Sequence, residues 1–216
     1  NRESLVVIDE IQKLPGLMDE VQLMIEEKGV RFLLTGSSAR KLKRTHTSLM
    51  AGRAKTIRLN PFCFAEIPEF NLNRRLLMGA LPPVWLSEHP RDELSSYAGD
   101  YLKEEVQAEA LSRNIEGFSR FLQKAALANT EILNFESLGN DAQVPPRTVR
   151  EYYHVLQDTL LGTFVEPLPK HRKRLERKVA SKAKFYFFDT GVVNALVGQK
   201  SLAEGTEAYG RAFEHF

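Results

Sequence analysis

Apolar and polar positions along the chain change period several times, and each change marks an element. Residues 5–8 (LVVI) are apolar without alternation, the pattern of a strand buried on both faces, as in parallel sheets. After Pro15–Gly16, Leu17, Val21, Met24 and Ile25 recur at helical spacing while Asp19, Glu20, Glu26 and Glu27 lie between them. That spacing predicts an amphipathic helix over 17–27, stopped by Gly29. VRFLLTGSS at 30–38 then predicts a second buried strand. Strand, helix, strand within about 35 residues is a βαβ unit, which requires a parallel sheet.

TIRL at 56–59 alternates like a third strand closed by Pro61. From 62 to about 95 the pattern weakens, and GALPPVWL at 79–86 reads as an interruption of any helix. Pro90–Arg91–Asp92 predicts a helix start, with Leu94, Tyr97, Tyr101, Leu102 and Val106 periodic to about 111. Three further helices are predicted: 119–130, with Phe121, Leu122, Ala125 and Ala126 inward; a short one capped by Asn134, its interior weakened by Gly139; and 144–161, opened by Pro146, with a stripe of Val149, Tyr152, Tyr153, Leu156 and Leu160. Three helices with a tight turn before the third resemble a helix-turn-helix. The β-rich runs FVEPLPKHRKR and KFYFFDTG would then form the hairpin wing of a winged-helix domain. The expected class is therefore α/β followed by mostly α.

Composition changes this picture little. The 216 residues carry 30 Lys+Arg against 28 Asp+Glu, a net charge of +2, so any nucleic-acid signal must be local. One cysteine, Cys63, excludes an internal disulfide and any cysteine-rich zinc site. Five histidines fall in no metal-ligand spacing. No apolar run approaches the roughly 18–20 residues that a spanning helix needs, so no membrane partner and a cytoplasmic location are expected. Residue 1 is Asn, a strand follows almost at once, and Phe213 and Phe216 close the sequence at helical spacing with no stop signal. Both ends are expected to be cuts in a longer protein.

The chemistry concentrates where the first strand ends. Ligands of open parallel sheets bind beyond the carboxyl ends of the strands, and there Asp9 and Glu10 follow LVVI. An aspartate so placed can hold a nucleotide-bound Mg²⁺ through water, because this hard cation keeps part of its hydration shell. The neighbouring glutamate can polarise an attacking water. Four apolar residues before Asp-Glu make the Walker B pattern, and Thr35-Gly36-Ser37-Ser38 ends the adjacent strand. The structural alternatives are an acidic pair that caps the next helix and ordinary turn chemistry in TGSS.

LVVIDEIQKLPGL, RFLLTGSSARKL and AGRAKTIRLNPFCFAEI, in this order, resemble the second half of the ATPase module in a group of prokaryotic AAA+ superfamily ATPases. YYHVLQDTLLGTFVEPLP and KFYFFDTGVVNAL are similar to the winged-helix-containing domain of unknown function in that group. The resemblance implies a truncated AAA+ half with a partial P-loop-type sheet over 1–62, a lid or connector over 63–95, a helical winged-helix domain over 96–200 and the start of a truncated C-terminal region over 201–216. It implies ATP and Mg²⁺ as cofactors of the intact parent, Asp9 as the Mg²⁺-associated acid acting through water, and Glu10 as the water-activating base. Thr35 or Ser37 would sense the γ-phosphate, and Arg53 would be an arginine finger or sensor, or else a plain surface arginine. The chain departs from the family in one respect. The G-x-x-x-x-G-K-[ST] loop that cradles phosphates occurs nowhere in residues 1–216, so the chain alone is expected to hold no ATP tightly.

A second candidate lies at 169–184, PKHRKRLERKVASKAK, with eight Lys/Arg against Glu176. Arg172, Lys173 and Arg174 at its centre, with Arg147, Thr148 and Arg150 on the outer face of the third helix, could meet a DNA backbone and groove. A solvated face or a domain contact accounts for the same charges. The function expected of the intact parent is ATP hydrolysis coupled to a winged-helix partner-binding domain, with this fragment itself inactive. The alternatives are a DNA-binding regulatory module and a protein-interaction scaffold, including self-association. Glu214, in FEHF, resembles the opening glutamate of a nuclease-like region of related ATPases.

Overall fold

The computed structural model describes residues 5–36, 54–101, 114–167 and 183–216. It contains two units, Asn1–Arg58 with Asp158–Leu160 and Leu59–Gln157 with Leu161–Phe216.

In the first unit, strand β1 (Leu5–Ile8) leads through a 3₁₀ turn (Ile11–Lys13) into helix α1 (Leu17–Lys28) and strand β2 (Arg31–Leu34). The strands pair in parallel, Leu5 opposite Arg31 through Ile8 opposite Leu34. Gly29 ends α1 in the left-handed conformation, φ 61°, the backbone that glycine adopts at no steric cost. The small core is Ile11, Met18 and Val21, with Ile8, Ile25, Phe32 and Leu34 packed against it. This corrects the expected helix face: Met18 turns inward and Met24 outward. It also corrects the expectation of strands buried on both faces. Helix α1 covers the side that carries Ile8, Phe32 and Leu34, while Val7 and Leu33 on the other side remain 59% and 49% exposed. TIRL is not a strand either. Residues 54–60 are irregular, with Leu59 97% exposed, because β alternation forms a ladder only where a partner supplies hydrogen bonds, and among the described residues none does.

The second unit is mostly helical. Helix α2 (Leu72–Met78) is capped by the Asn71 side chain and followed by α3 (Pro82–Leu86) and α4 (Pro90–Ser96). The prolines of GALPPVWL open a helix rather than interrupt one, since Pro82 and Pro83 take positions whose N–H groups have no helical acceptor. Helix α4 runs into a π-helical turn at Tyr97–Tyr101, and the rest of the predicted 94–111 helix lies outside the described residues. Helix α5 (Ile115–Leu127) begins four residues before the predicted start, because the Asn114 side chain accepts the Gly117 N–H at 2.8 Å. Helix α6 (Phe135–Ala142) is capped as expected, with Asn134 accepting from Glu136 and Ser137. Its Gly139 has a reason that propensity hides: a Cβ there would stand 2.7 Å from the Val144 carbonyl, so only glycine admits the tight return into helix α7 (Pro146–Asp158). The α7 stripe of Val149, Tyr152, Tyr153 and Leu156 is buried. Leu160 lies past the helix end and is exposed.

Strands β3 (Gly162–Val165) and β4 (Lys184–Phe187) pair antiparallel, Gly162 with Phe187 and Val165 with Lys184. The chain at 130–133 runs along the other side of β4, with Thr130 N–H to Phe185 O at 3.2 Å and Leu133 N–H to Ala183 O at 2.9 Å. Helices α8 (Thr190–Val197) and α9 (Glu207–His215) complete the unit. Its core centres on Tyr153, whose ring meets Phe121 at 4.9 Å and Phe185 at 4.8 Å between centroids. Fully burying each such side chain contributes about 1.5–3 kcal/mol, and edge-to-face pairs add about 0.5–1.5.

Candidate functional site

The strand register of the first unit brings Asp9, Glu10 and Thr35 to one end of the sheet. Residues 8 and 34 are the last pair of the ladder, so the residues after them leave the sheet side by side. Backbone bonds bind the two exits: Thr35 N–H donates to Ile8 O at 3.0 Å and Ile11 N–H to Thr35 O at 3.1 Å. The Thr35 hydroxyl works in both directions. It donates to Asp9 Oδ1 and accepts the Glu10 backbone N–H at 3.3 Å. Asp9 is exposed, and Glu10 and Thr35 are half-buried. Glu10 has the left-handed backbone, φ 52° and ψ 46°, a conformation that costs a non-glycine residue about 1–3 kcal/mol and persists where surrounding contacts over-determine it.

One residue of this site carries no motif of its own. Gln12, 9% exposed, donates from Nε2 to Glu10 Oε2. The buried neighbour Ile11, at home in the α1 core, holds the turn in place. The sequence carries no signal for it, because Gln12 lies between Ile11 and the exposed Lys13 in a turn of mixed polarity.

The rest of the expected nucleotide site, Ser37 and Arg53, lies outside the described residues. The oxygen donors of Asp9 and Thr35 at an exposed sheet end suit a hydrated hard cation. Among the described residues no group of three or more His, Cys, Asp or Glu could hold a metal by direct ligation alone.

Of the residues expected to meet DNA, Arg147 and Arg150 are exposed on α7 and Thr148 is half-buried. Both arginines have local partners. Arg147 Nε pairs with Glu151 at 3.2 Å, and the Arg150 guanidinium sits 5.1 Å from the Phe135 ring centroid. Arg172, Lys173 and Arg174 lie outside the described residues. Lys184, at the end of the basic run, bonds Glu214 at 2.6 Å, and that hydrogen bond raises the ammonium above its ordinary value. Glu214 also accepts from the Tyr186 hydroxyl at 3.2 Å.

Among the described residues of the second unit, a heavily bonded acid is Asp189, at the start of DTG. Its carboxylate caps α8 by accepting from Gly191 N–H at 2.8 Å and Val192 N–H at 3.2 Å. It also accepts from Ala80 N–H at 2.8 Å and faces Arg75 at 3.6 Å. Burial pushes its carboxyl up, against the pull of Ala80, Arg75, Val192 and Gly191. Arg75 Nη1 in turn donates to the Thr190 hydroxyl, which donates to Arg75 O. The contacts of Asp189 and Thr190 with Arg75 and Ala80 join α2 and the α2–α3 turn to the start of α8, so the motif locks this part of the fold. A cleft of about 270 Å³ opens nearby, lined among others by Asn129, Asn194, Arg211 and His215. Arg211 is held there by Glu131 and Glu207, each at 2.6 Å.

Residues 1–68 match the family model of an AAA domain, which supports an AAA-type, ATPase-related N-terminal region. Two curated relatives, an uncharacterized protein of Mycobacterium tuberculosis and an uncharacterized protein of Mycobacterium bovis, are each 23% identical over 199 residues. The matched part is 90% of this chain and 44% of each relative, so the chain spans about half the length of the curated relatives it matches. No solved structure matches the chain. Among the described residues no helix is long and apolar enough to cross a membrane. Residues 69–203, more than half of the chain, match a domain of unknown function, DUF8612, and the chain belongs to that family.

Proposed function

We propose that the protein is an ATP-hydrolysing member of the AAA class whose nucleotide cycle drives a winged-helix domain built from the three helices and strand pair of the second unit. The observation that carries this reading is the Thr35 hydroxyl, bonded at once to the Asp9 carboxylate and the Glu10 backbone at the end of two parallel strands. The AAA match over 1–68 is consistent with it. Magnesium, when bound with ATP, would neutralise charge on the phosphates and order the water around them. Asp9 would accept hydrogen bonds from that water shell. Glu10 would take the proton of the attacking water, and the Thr35 hydroxyl, which here donates to Asp9, would release that bond to donate to a phosphate oxygen. Ser37 would support the γ-phosphate contact, and Arg53 would serve as arginine finger or sensor. The phosphate-cradling loop is not among residues 1–216, so the reading requires it elsewhere in the working enzyme.

The test is Mg²⁺-dependent ATP hydrolysis by the complete gene product that contains these residues. Glu10→Gln should lower kcat by about 10²–10⁴-fold, the usual contribution of a general base. Undiminished turnover in that variant rejects the role.

A second reading, DNA contact by the second unit, is favoured by the exposure of Arg147 and Arg150 on α7 and by the eight Lys/Arg that the sequence carries in residues 169–184. Duplex binding should then weaken steeply as salt rises. Absence of binding at low salt removes it.

A further inference from the structure

We propose that Gln12 is a positioning residue for Glu10: its buried side-chain amide fixes the direction in which the Glu10 carboxylate presents its proton-accepting oxygen. The proposal rests on the ATPase reading above and adds a residue to it.

The argument begins with the turn. Ile11 is 2% exposed and packs with Met18 and Val21 under α1, so the 3₁₀ turn Ile11–Lys13 is anchored to the core. Gln12, next to this anchor, is itself buried, and its amide bonds Glu10 Oε2. On the other side, the Glu10 backbone is held left-handed, with its N–H on the Thr35 hydroxyl. Main chain and side chain of Glu10 are thus tied from opposite directions, one to β2 and one to the turn.

The chemistry of an amide suits this task. A lysine or arginine at position 12 would form an ion pair and make Glu10 a weaker base. An amide donor orients the carboxylate while keeping its charge. A hydrogen bond at one carboxylate oxygen determines where the other points, and orientation of a base toward its proton is a large share of its catalytic value. A buried amide with a hydrocarbon stem also gives up little further rotamer freedom when nucleotide arrives.

Two variants of the complete gene product separate positioning from packing. Gln12→Met keeps length and volume but has no donor; Gln12→Glu keeps the shape and sets an acceptor against Glu10. Both should lower kcat for Mg-ATP at least about tenfold while the Kd of a fluorescent ATP analogue stays within about twofold. In the Glu10→Gln background, Gln12→Met should cause no further loss, because the group it orients is already gone. A kcat unchanged in both variants overturns the proposal. So does a loss of nucleotide affinity as large as the loss of kcat, or an additional loss in the Glu10→Gln background, since either assigns Gln12 to structure. Full turnover in Glu10→Gln alone has a different meaning: it overturns the ATPase reading, and the role of Gln12 with it.

Discussion

Replacing Asp189 with alanine tests the strongest structural claim made for the second unit, that one carboxylate joins α2 to α8. The side chain has no solvent exposure and Arg75 opposite it has 15%. Alanine leaves the Gly191 and Val192 N–H groups without their cap, a loss of about 1 kcal/mol. It leaves the Ala80 N–H buried without an acceptor, about 1–3 kcal/mol. It also leaves the Arg75 guanidinium without its acid, and breaking a buried pair costs about 3–5 kcal/mol. These penalties share one carboxylate and overlap, so the expected total is about 4 kcal/mol, a large part of the roughly 5–15 kcal/mol that holds a native protein together. Asp189→Asn should cost about half as much. It keeps an oxygen for the cap and avoids the burial of charge that pushes the carboxyl up, although its NH₂ faces a donor at Ala80 or Arg75. Trp85, the one tryptophan of the chain, lies in α3 and reports on this unit. Urea denaturation followed by its fluorescence should show the midpoint fall in the order wild type, Asn, Ala, with m unchanged. A loss below about 1 kcal/mol for alanine would refute the reasoning, because it would mean that the buried donors find other acceptors.

Two further outcomes follow from buried polar groups. The Tyr153 hydroxyl is buried with no hydrogen-bond partner among the described residues, and burial pushes its phenol well above the ordinary 10.0; Tyr153→Phe should therefore leave the urea midpoint unchanged or raise stability by up to about 1 kcal/mol, and a loss of more than that would show a partner. His215 donates from Nε2 to the Phe187 carbonyl at 2.6 Å and accepts at Nδ1 from the Asn129 amide at 3.2 Å, an arrangement for the neutral ring. Burial, the largest cause, and Arg75 hold it below 6.5 against the Phe187 carbonyl and Asp189. The unfolded chain therefore binds the proton first, so the contribution of His215 is whole above pH 6.5 and declines as pH falls from there toward the lower folded value. The difference in stability between wild type and His215→Gln, measured from pH 7.5 to 5, should shrink on acidification; a constant difference refutes the neutral assignment.

Short apolar runs were enough to read β1 and β2, though not which of their faces is covered, and local period was enough to read α1 and the α5–α7 helices, because there most core-facing residues repeat at the spacing that the backbone imposes. The end of LVVI locates Asp9 and Glu10 at the rim of a sheet for the same reason. What period cannot supply is a partner. TIRL alternates as well as any strand, yet residues 54–60 are irregular, since alternation describes one strand and a ladder needs two. Asp189 belonged to a run read only as β-rich, though an acid directly before TGVV is a helix-start signal by ordinary capping rules. Its bonds to Ala80 and Arg75 span more than a hundred residues and leave no local trace. Gly79 repeats the lesson from the other side: at φ 73°, a Cβ there would stand 1.8 Å from Asp189 Oδ1, so the glycine of GALPP and the aspartate of DTG are one requirement written in two places. Glu10 and Gln12 are two residues apart, and even they escaped notice as a pair, because i and i+2 meet neither on a helix face nor across a turn of ordinary hand. It is the left-handed backbone at Glu10 that brings them together, and the N–H of that residue is bonded to Thr35, just past the end of the neighbouring strand. A site whose acids are legible one by one can thus be assembled only by the contact that a second strand makes.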